Sequence, residues 1–214
     1  EDQECADLLK QELTRMGVVI HTSTKLESLK DTGRSVAMVA QKDGKHLEIS
    51  ADYALLCTGR KPLLFTAELD KCGIEYTQAG IKVDKKMMTS VAGIYAVGDV
   101  TGGMMLAHRA MQQAKFAVER IFGGDDFAYN EDFIPSVVYS HPQIARVGYT
   151  QKRAEDEELS VEVVKSFYSA NIIARAELMG QGFVKAIFHQ DKLIGATIVG
   201  EDAAELIVPL TLVV

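Results

Sequence analysis

The stretch from Gly93 to Gly124 constrains this chain more than any other. Ile94-Tyr95-Ala96-Val97 reads as a short apolar strand, and Gly98-Asp99 follows at its carboxyl end. Gly102-Gly103 lets the backbone turn tightly. Residues 105–122 then carry a helical pattern that Gly123-Gly124 ends. Strand, glycine turn and helix in this order form the unit of an open α/β sheet, where ligands bind outside the carboxyl ends of the strands. Asp99 at that edge can accept hydrogen bonds from hydroxyls of a sugar-type chain. The helix's first turn, with Leu106, Ala107 and His108, offers unpaired N–H groups and a partial positive charge. Such an end attracts an anion or an electron-rich carbonyl. Ala107, Ala110, Ala114 and Ala117 give the helix a slim face. The pattern fits a cofactor with hydroxyls and negative charge. It also fits an ordinary strand–turn–helix with Asp99 as a capping residue, and local physics leaves both open.

Composition excludes other classes. With 214 residues, 47% hydrophobic and 25% charged, the chain can bury a real core as one large domain or two ordinary ones. Disordered and collagen-like compositions are excluded. No apolar run reaches the roughly 18–20 residues a membrane helix needs. The acidic start, Glu1-Asp2-Gln3-Glu4, is the opposite of a targeting peptide. A net charge of −7 with scattered Lys and Arg argues against nucleic acid. The three cysteines, Cys5, Cys57 and Cys72, contain no CxxC or CxxxxC, so no zinc knuckle and no adjacent redox pair is expected. Cys57 ends the apolar run Ala54-Leu55-Leu56 and reads as a buried, inert thiol. An odd count at wide spacing suggests a reducing, cytoplasmic compartment.

The remaining elements follow from periodicity. Leu8, Leu9, Leu13 and Met16 predict an amphipathic helix that stops at Gly17, and Val18-Val19-Ile20 predicts a short strand. Residues 25–57 read as a strand meander with an Asp43-Gly44 hairpin turn, closed by a buried strand at 52–57. Thr58-Gly59-Arg60-Lys61-Pro62 marks a first boundary, and the acidic stretch 125–132 a second. Residues 63–87 read as irregular, with a short strand at 81–83. Residues 134–214 read as an α+β unit. Its strands are expected at 136–139, 161–166, 182–189 and 192–199, and its helices at 150–159 and from Asp202, the last interrupted by Pro209. Glu155-Asp156-Glu157-Glu158 reads as a solvated helix face. His108 and His141 read as structural, and Arg175 and Lys185 as surface residues.

Several blocks carry a family resemblance. The run Thr89-Ser90-Val91-Ala92-Gly93-Ile94-Tyr95-Ala96-Val97-Gly98-Asp99-Val100 resembles the second flavin motif of the pyridine nucleotide-disulfide oxidoreductases. Met104-Met105-Leu106-Ala107-His108 is similar to its continuation in the dihydrolipoyl dehydrogenase branch. Leu55-Leu56-Cys57-Thr58-Gly59-Arg60-Lys61-Pro62 looks like the family's join from the NAD domain back to the FAD domain. The block from Ile134 to Thr150, Gly182-Phe183-Val184-Lys185 and Gly200-Glu201-Asp202-Ala203-Ala204-Glu205-Leu206-Ile207 resemble its interface domain.

The resemblance implies an α/β fold of partial, doubly wound FAD/NAD(P)-binding domains, followed by an α+β interface (dimerisation) domain. The implied division is 1–58 for the end of the NAD domain, 59–129 for the second FAD segment, and 130–214 for the interface domain. FAD would be contacted by Asp99 and by the backbone of Met105, Leu106, Ala107 and His108. NAD would lie near Gly59, with Leu26 at its adenosine end. Dihydrolipoyl groups would be oxidised, with electrons passing through a redox disulfide and FAD to NAD+. The partners implied are a second copy of the chain and the lipoyl domains of 2-oxo acid dehydrogenase complexes. No GxGxxG, no close cysteine pair and no C-terminal His-Glu base occurs in the sequence. The expectation is therefore an internal piece, inactive alone, with no catalytic and no metal-ligating residue of its own. Other flavin disulfide reductases (glutathione or mercuric reductase-like), or a non-catalytic dimerisation fragment, are the alternatives.

Overall fold

A computed structural model describes residues 1–124 and 129–214. It divides into two compact units, one of residues 13–59 and the other of residues 1–12 with 60–214.

The smaller unit begins with the last turn of helix α1 (Gln3–Arg15). Its end is closed by two backbone bonds, Gly17 N–H to Thr14 O at 2.9 Å and Val18 N–H to Leu13 O at 3.0 Å. These satisfy carbonyls that a helix end leaves unpaired. The expected meander follows as β1 (Lys25–Asp31), β2 (Val36–Lys42) and β3 (Lys45–Ala51), antiparallel in that order. Asp43 and Gly44, at φ +50° and +75°, form the two-residue turn that brings Lys42 opposite Lys45.

Two expected strands are absent from this unit. Residues 18–20 and 52–57 form no ladder, and Tyr53 is 90% exposed. Both runs are apolar enough for strands, but a strand needs a neighbour to take its N–H and C=O groups. No strand among the described residues pairs with either. Cys57 is therefore exposed, not buried.

The larger unit holds a helix that periodicity missed, α2 (Thr66–Cys72), ended by Gly73 in the left-handed region. A two-residue hairpin follows, β4 (Tyr76–Thr77) with β5 (Gly80–Ile81). The expected strand at 94–97 is reduced to a single antiparallel bridge between Met88 and Tyr95. Its flanking bonds, Thr89 N–H to Ile94 O and Ala96 N–H to Met87 O, come from one short neighbour only. Helix α3 (Ala107–Ile121) starts two residues later than the sequence suggested, so Met105 and Leu106 precede it.

Residues 134–214 contain a five-stranded antiparallel sheet of β6 (Ser136–Val138), β7 (Gln143–Gly148), β8 (Glu162–Phe167), β9 (Phe183–His189) and β10 (Lys192–Gly200). The order is β6-β7-β10-β9-β8. Four of these strands match the sequence reading, and β7 does not appear in it. Alternation sorts the core onto two faces. Ala145, Val147, Ala196 and Ile198 lie under Ala203 and Ile207 of α6 (Ala203–Leu210). Ile144, Phe183 and Val199 pack against Cys5, Leu8 and Leu9 of α1. Each fully buried Ile or Val contributes about 1.5–3 kcal/mol. The remaining helices are α4 (Gln151–Asp156), capped by Thr150, and α5 (Ile172–Ala176), capped by Asn171.

Lys185 corrects a surface assignment, since it is only 1% exposed. Its Nζ donates to both carboxylate oxygens of Asp2, at 3.0 and 2.9 Å, and to Glu4 at 3.1 Å. Glu4 also pairs with Lys165. The sequence reading erred because Lys occupies an inward position of a strand, which alternation alone would give to an apolar residue. The N-terminal carboxylates that satisfy it lie 181 and 183 residues away.

Candidate functional site

The candidate site is built on a tight 3₁₀ turn, Gly98–Thr101, and on the start of α3. Gly98 is buried at φ +79°, and a Cβ there would press on Ala110 at 3.3 Å. The Gly98 N–H donates to Gln113 Oε1 at 2.7 Å, and the Thr101 hydroxyl donates to Gly98 O at 2.8 Å. Gly102 closes the turn with an N–H bond to Asp99 O at 3.0 Å. It also crosses the β4–β5 hairpin so closely that a Cβ would stand 1.9 Å from Ala79 O. Only glycine fits this crossing. Arg109, buried in α3, donates from Nη1 to Gly102 O at 2.8 Å and forms an ion pair with Glu131 at 2.7 Å.

This scaffold leaves Asp99 exposed, and its carboxylate has no hydrogen bond or ion pair among the described residues. Leu106 takes the N-cap position in extended conformation, with no side-chain cap on the helix start. No acidic residue lies in the first turn. The N–H groups of that turn are thus left for a ligand. Arg60 donates to Met105 O at 2.5 Å and joins residues 60–64 to the segment before α3. Between them opens a cleft of about 770 Å³, lined by Arg60, Pro62, Tyr76, Ala79, Gly102 and Met105 among others. His108 is half-buried, with Nε2 2.6 Å from Pro135 O. A carbonyl only accepts, so Nε2 carries the proton and the ring is a structural tie.

The structure brings Asp99, Met105, Leu106, Ala107 and His108 into one short segment around the glycine turn. Gly59 and Leu26 lie in the smaller unit. Leu26 pairs with Ala40 in β1–β2, and Gly59 lies beyond β3 with open space around its Cα. No hydrogen bond or strand pairing joins these two among the described residues. Sequence reasoning missed Arg60, Arg109 and Gln113. For the last two a signal existed: polar side chains four apart on the stripe that carries Ala110 and Ala117. The described residues contain no cluster of three or more His, Cys, Asp or Glu that could hold a metal ion. No helix among them is long and apolar enough to cross a membrane.

The uncapped helix start, the glycine turn and the five-stranded antiparallel sheet belong to an architecture that comparison with known proteins assigns to a class of oxidoreductases. Residues 1–114 match the family described as "Pyridine nucleotide-disulphide oxidoreductase", and residues 134–214 match its dimerisation domain. The chain belongs to this family. Among similar proteins are the dihydrolipoyl dehydrogenases of Mycobacterium leprae, 36% identical over 99% of this chain, and of Bacillus subtilis, 32% identical over 97%. They are covered over 46% and 45% of their own length, so the chain spans about half of the curated relatives it matches. Among solved structures, LpdA from Mycobacterium tuberculosis is similar over the whole chain, with TM-score 0.90 and 27% identity, and is covered over 46% of its length. The HOCl-induced flavoprotein disulfide reductase RclA from Escherichia coli is also similar over the whole chain, with TM-score 0.83 and 25% identity, covered over 49%. The sequence expectation of mixed helix–sheet domains of this family stands.

Proposed function

We propose that this chain supplies the second flavin-contacting segment and the dimerisation domain of a dihydrolipoyl dehydrogenase. The carrying observation is the uncapped start of α3 beside the exposed Asp99, whose carboxylate has no partner among the described residues. These donors and this acceptor fit FAD, with hydroxyls for the carboxylate and an electron-rich ring edge for the helix end. Asp99 holds the ribityl side. Met105, Leu106, Ala107 and His108 would line the ring edge. The Leu106 N–H bonds Met104 O at 3.0 Å, so Met105, Ala107 and His108 would supply the donors, and the partial positive charge of α3 would favour negative charge there. FAD, when bound, supplies the two-electron redox chemistry between a dithiol and NAD. Gly59 and Leu26 are assigned to NAD. The division into 1–58, 59–129 and 130–214 is carried over with this reading. Homodimer formation is supported by the dimerisation-domain match. Lipoyl domains are the assigned partners, and a cytoplasmic setting fits three free thiols.

The test is NAD+ reduction by dihydrolipoamide with the protein purified from its source, together with a flavin absorption band. Both are expected. A preparation that turns over only with glutathione disulfide or mercuric ion favours the other reductases, and a colourless protein rejects the flavin site. The 214-residue chain alone is expected to show no turnover, because its three cysteines form no close pair.

A further inference from the structure

Two polar side chains of α3 are buried where a helix facing a glycine turn would be expected to present small apolar ones. Gln113 is fully buried and Arg109 nearly so. They lie one helical turn apart on the same face. We infer that Arg109 and Gln113 form a clamp that grips both ends of the Gly98–Thr101 turn and so sets the position of Asp99.

The geometry is specific at both ends. Gln113 Oε1 accepts the Gly98 N–H at 2.7 Å, and its Nε2 reaches Thr101 Oγ1 at 3.4 Å. The Thr101 hydroxyl in turn donates to Gly98 O at 2.8 Å. Gln113 thus uses both amide functions, a donor and an acceptor, against a turn that presents one of each. Arg109 takes Gly102 O through Nη1 at 2.8 Å, and its Nε is held by Glu131 at 2.7 Å. Asp99 stands between the two gripped points; its carbonyl accepts the Gly102 N–H at 3.0 Å, and among the described residues its carboxylate has no hydrogen bond or ion pair. A carboxylate that must meet a ligand in one orientation gains from a scaffold settled beforehand. Buried polar groups are costly unless paired, and here the partners are the turn's own backbone and hydroxyl groups together with the Glu131 carboxylate, which pairs with Arg109 as an ion.

The clamp's bearing on flavin rests on the function proposed above, so the test has two arms. In the 214-residue chain, amide hydrogen exchange of Gly98 reads its bond to Gln113 directly, and that of Gly102 reads its bond to Asp99 O across the turn that Arg109 grips. Gln113→Leu is expected to accelerate exchange at Gly98, and Arg109→Met at Gly102, each by tenfold or more. Amides of Val147 and Ile198 in the distant sheet should keep their rates. Gln113→Glu retains an acceptor for Gly98 and should restore its protection. In the protein from its source, Gln113→Leu should weaken flavin binding at least tenfold, and Gln113→Glu should recover most of the affinity. Unchanged exchange at both glycines overturns the clamp. Faster exchange with unchanged flavin affinity overturns its positioning role. A parent protein without flavin overturns the proposed function, while the exchange arm still decides whether the clamp exists.

Discussion

Cys5 and Lys185 show how a single buried residue takes its chemistry from its surroundings. Burial, reinforced by the nearby Asp2 charge, pushes the Cys5 thiol up to about 12. At pH 8 the thiol form therefore prevails over the thiolate, the reactive form. Cys57 and Cys72 are exposed. An aromatic disulfide reagent should therefore label two thiols in the folded chain and the third only on unfolding. Rapid labelling of all three would contradict the packing of α1. Lys185 is held above the ordinary lysine value: burial alone would lower it, but bonds to Asp2 and Glu4 prevail. Glu4 is held below the usual carboxylate range, chiefly by Lys165, against burial. The signs are opposite. The lysine's contribution is complete below its unfolded value and is lost as pH rises through the raised folded value. The glutamate's is complete above its unfolded value and is lost as pH falls through the lowered one. Melting temperature should hold a plateau between acid and strong alkali. Lys185→Met should lower stability by about 3–5 kcal/mol across it, because Asp2 is left buried without its cation. A variant as stable as the parent would show that α1 is held by its apolar face alone.

At the scale of elements, the clearest constraint is the crossing of Gly102 over the β4–β5 hairpin. Gly102→Ala places a methyl group inside contact distance of a backbone carbonyl, and it is expected to cost about 3 kcal/mol or more. Urea denaturation would measure it. Ile207→Ala, emptying the contact between α6 and the sheet, should cost about 2–5 kcal/mol. The sequence announced most of these elements. Alternating patterns placed β6, β8, β9 and β10, and Asp43-Gly44 placed the hairpin. Strands at 18–20, 52–57 and 94–97 failed because local hydrophobicity does not say whether a neighbour is present to pair with. Asp99 and the start of α3 were legible because helix ends and glycine turns are local features. Gln113 and Arg109 were legible only as polar residues four apart on the alanine stripe; their role was not, because the groups they bind come within reach only in the folded turn.

For the whole molecule, the two units differ in how well they are covered. Every residue of β1 is exposed, and β3 has no buried residue. In contrast, β10 is buried from Gly195 to Gly200. Local opening follows such differences. Amides of β1 and β3 should exchange well before those of β7 and β10. Equal protection would show that the 13–59 unit gains cover from contacts outside itself.

The contact between Asp2 and Lys185 has a consequence for synthesis. These residues are separated by 183 positions. At about 5–20 residues per second, roughly ten to forty seconds pass between their translation. During that time the helix carrying Cys5, Leu8 and Leu9 has been made but the sheet that receives it has not. The helix therefore waits for the sheet, with the apolar stripe of Cys5, Leu8 and Leu9 uncovered and Asp2 without its lysine. A chaperone that holds amphipathic helices would find its substrate in that interval.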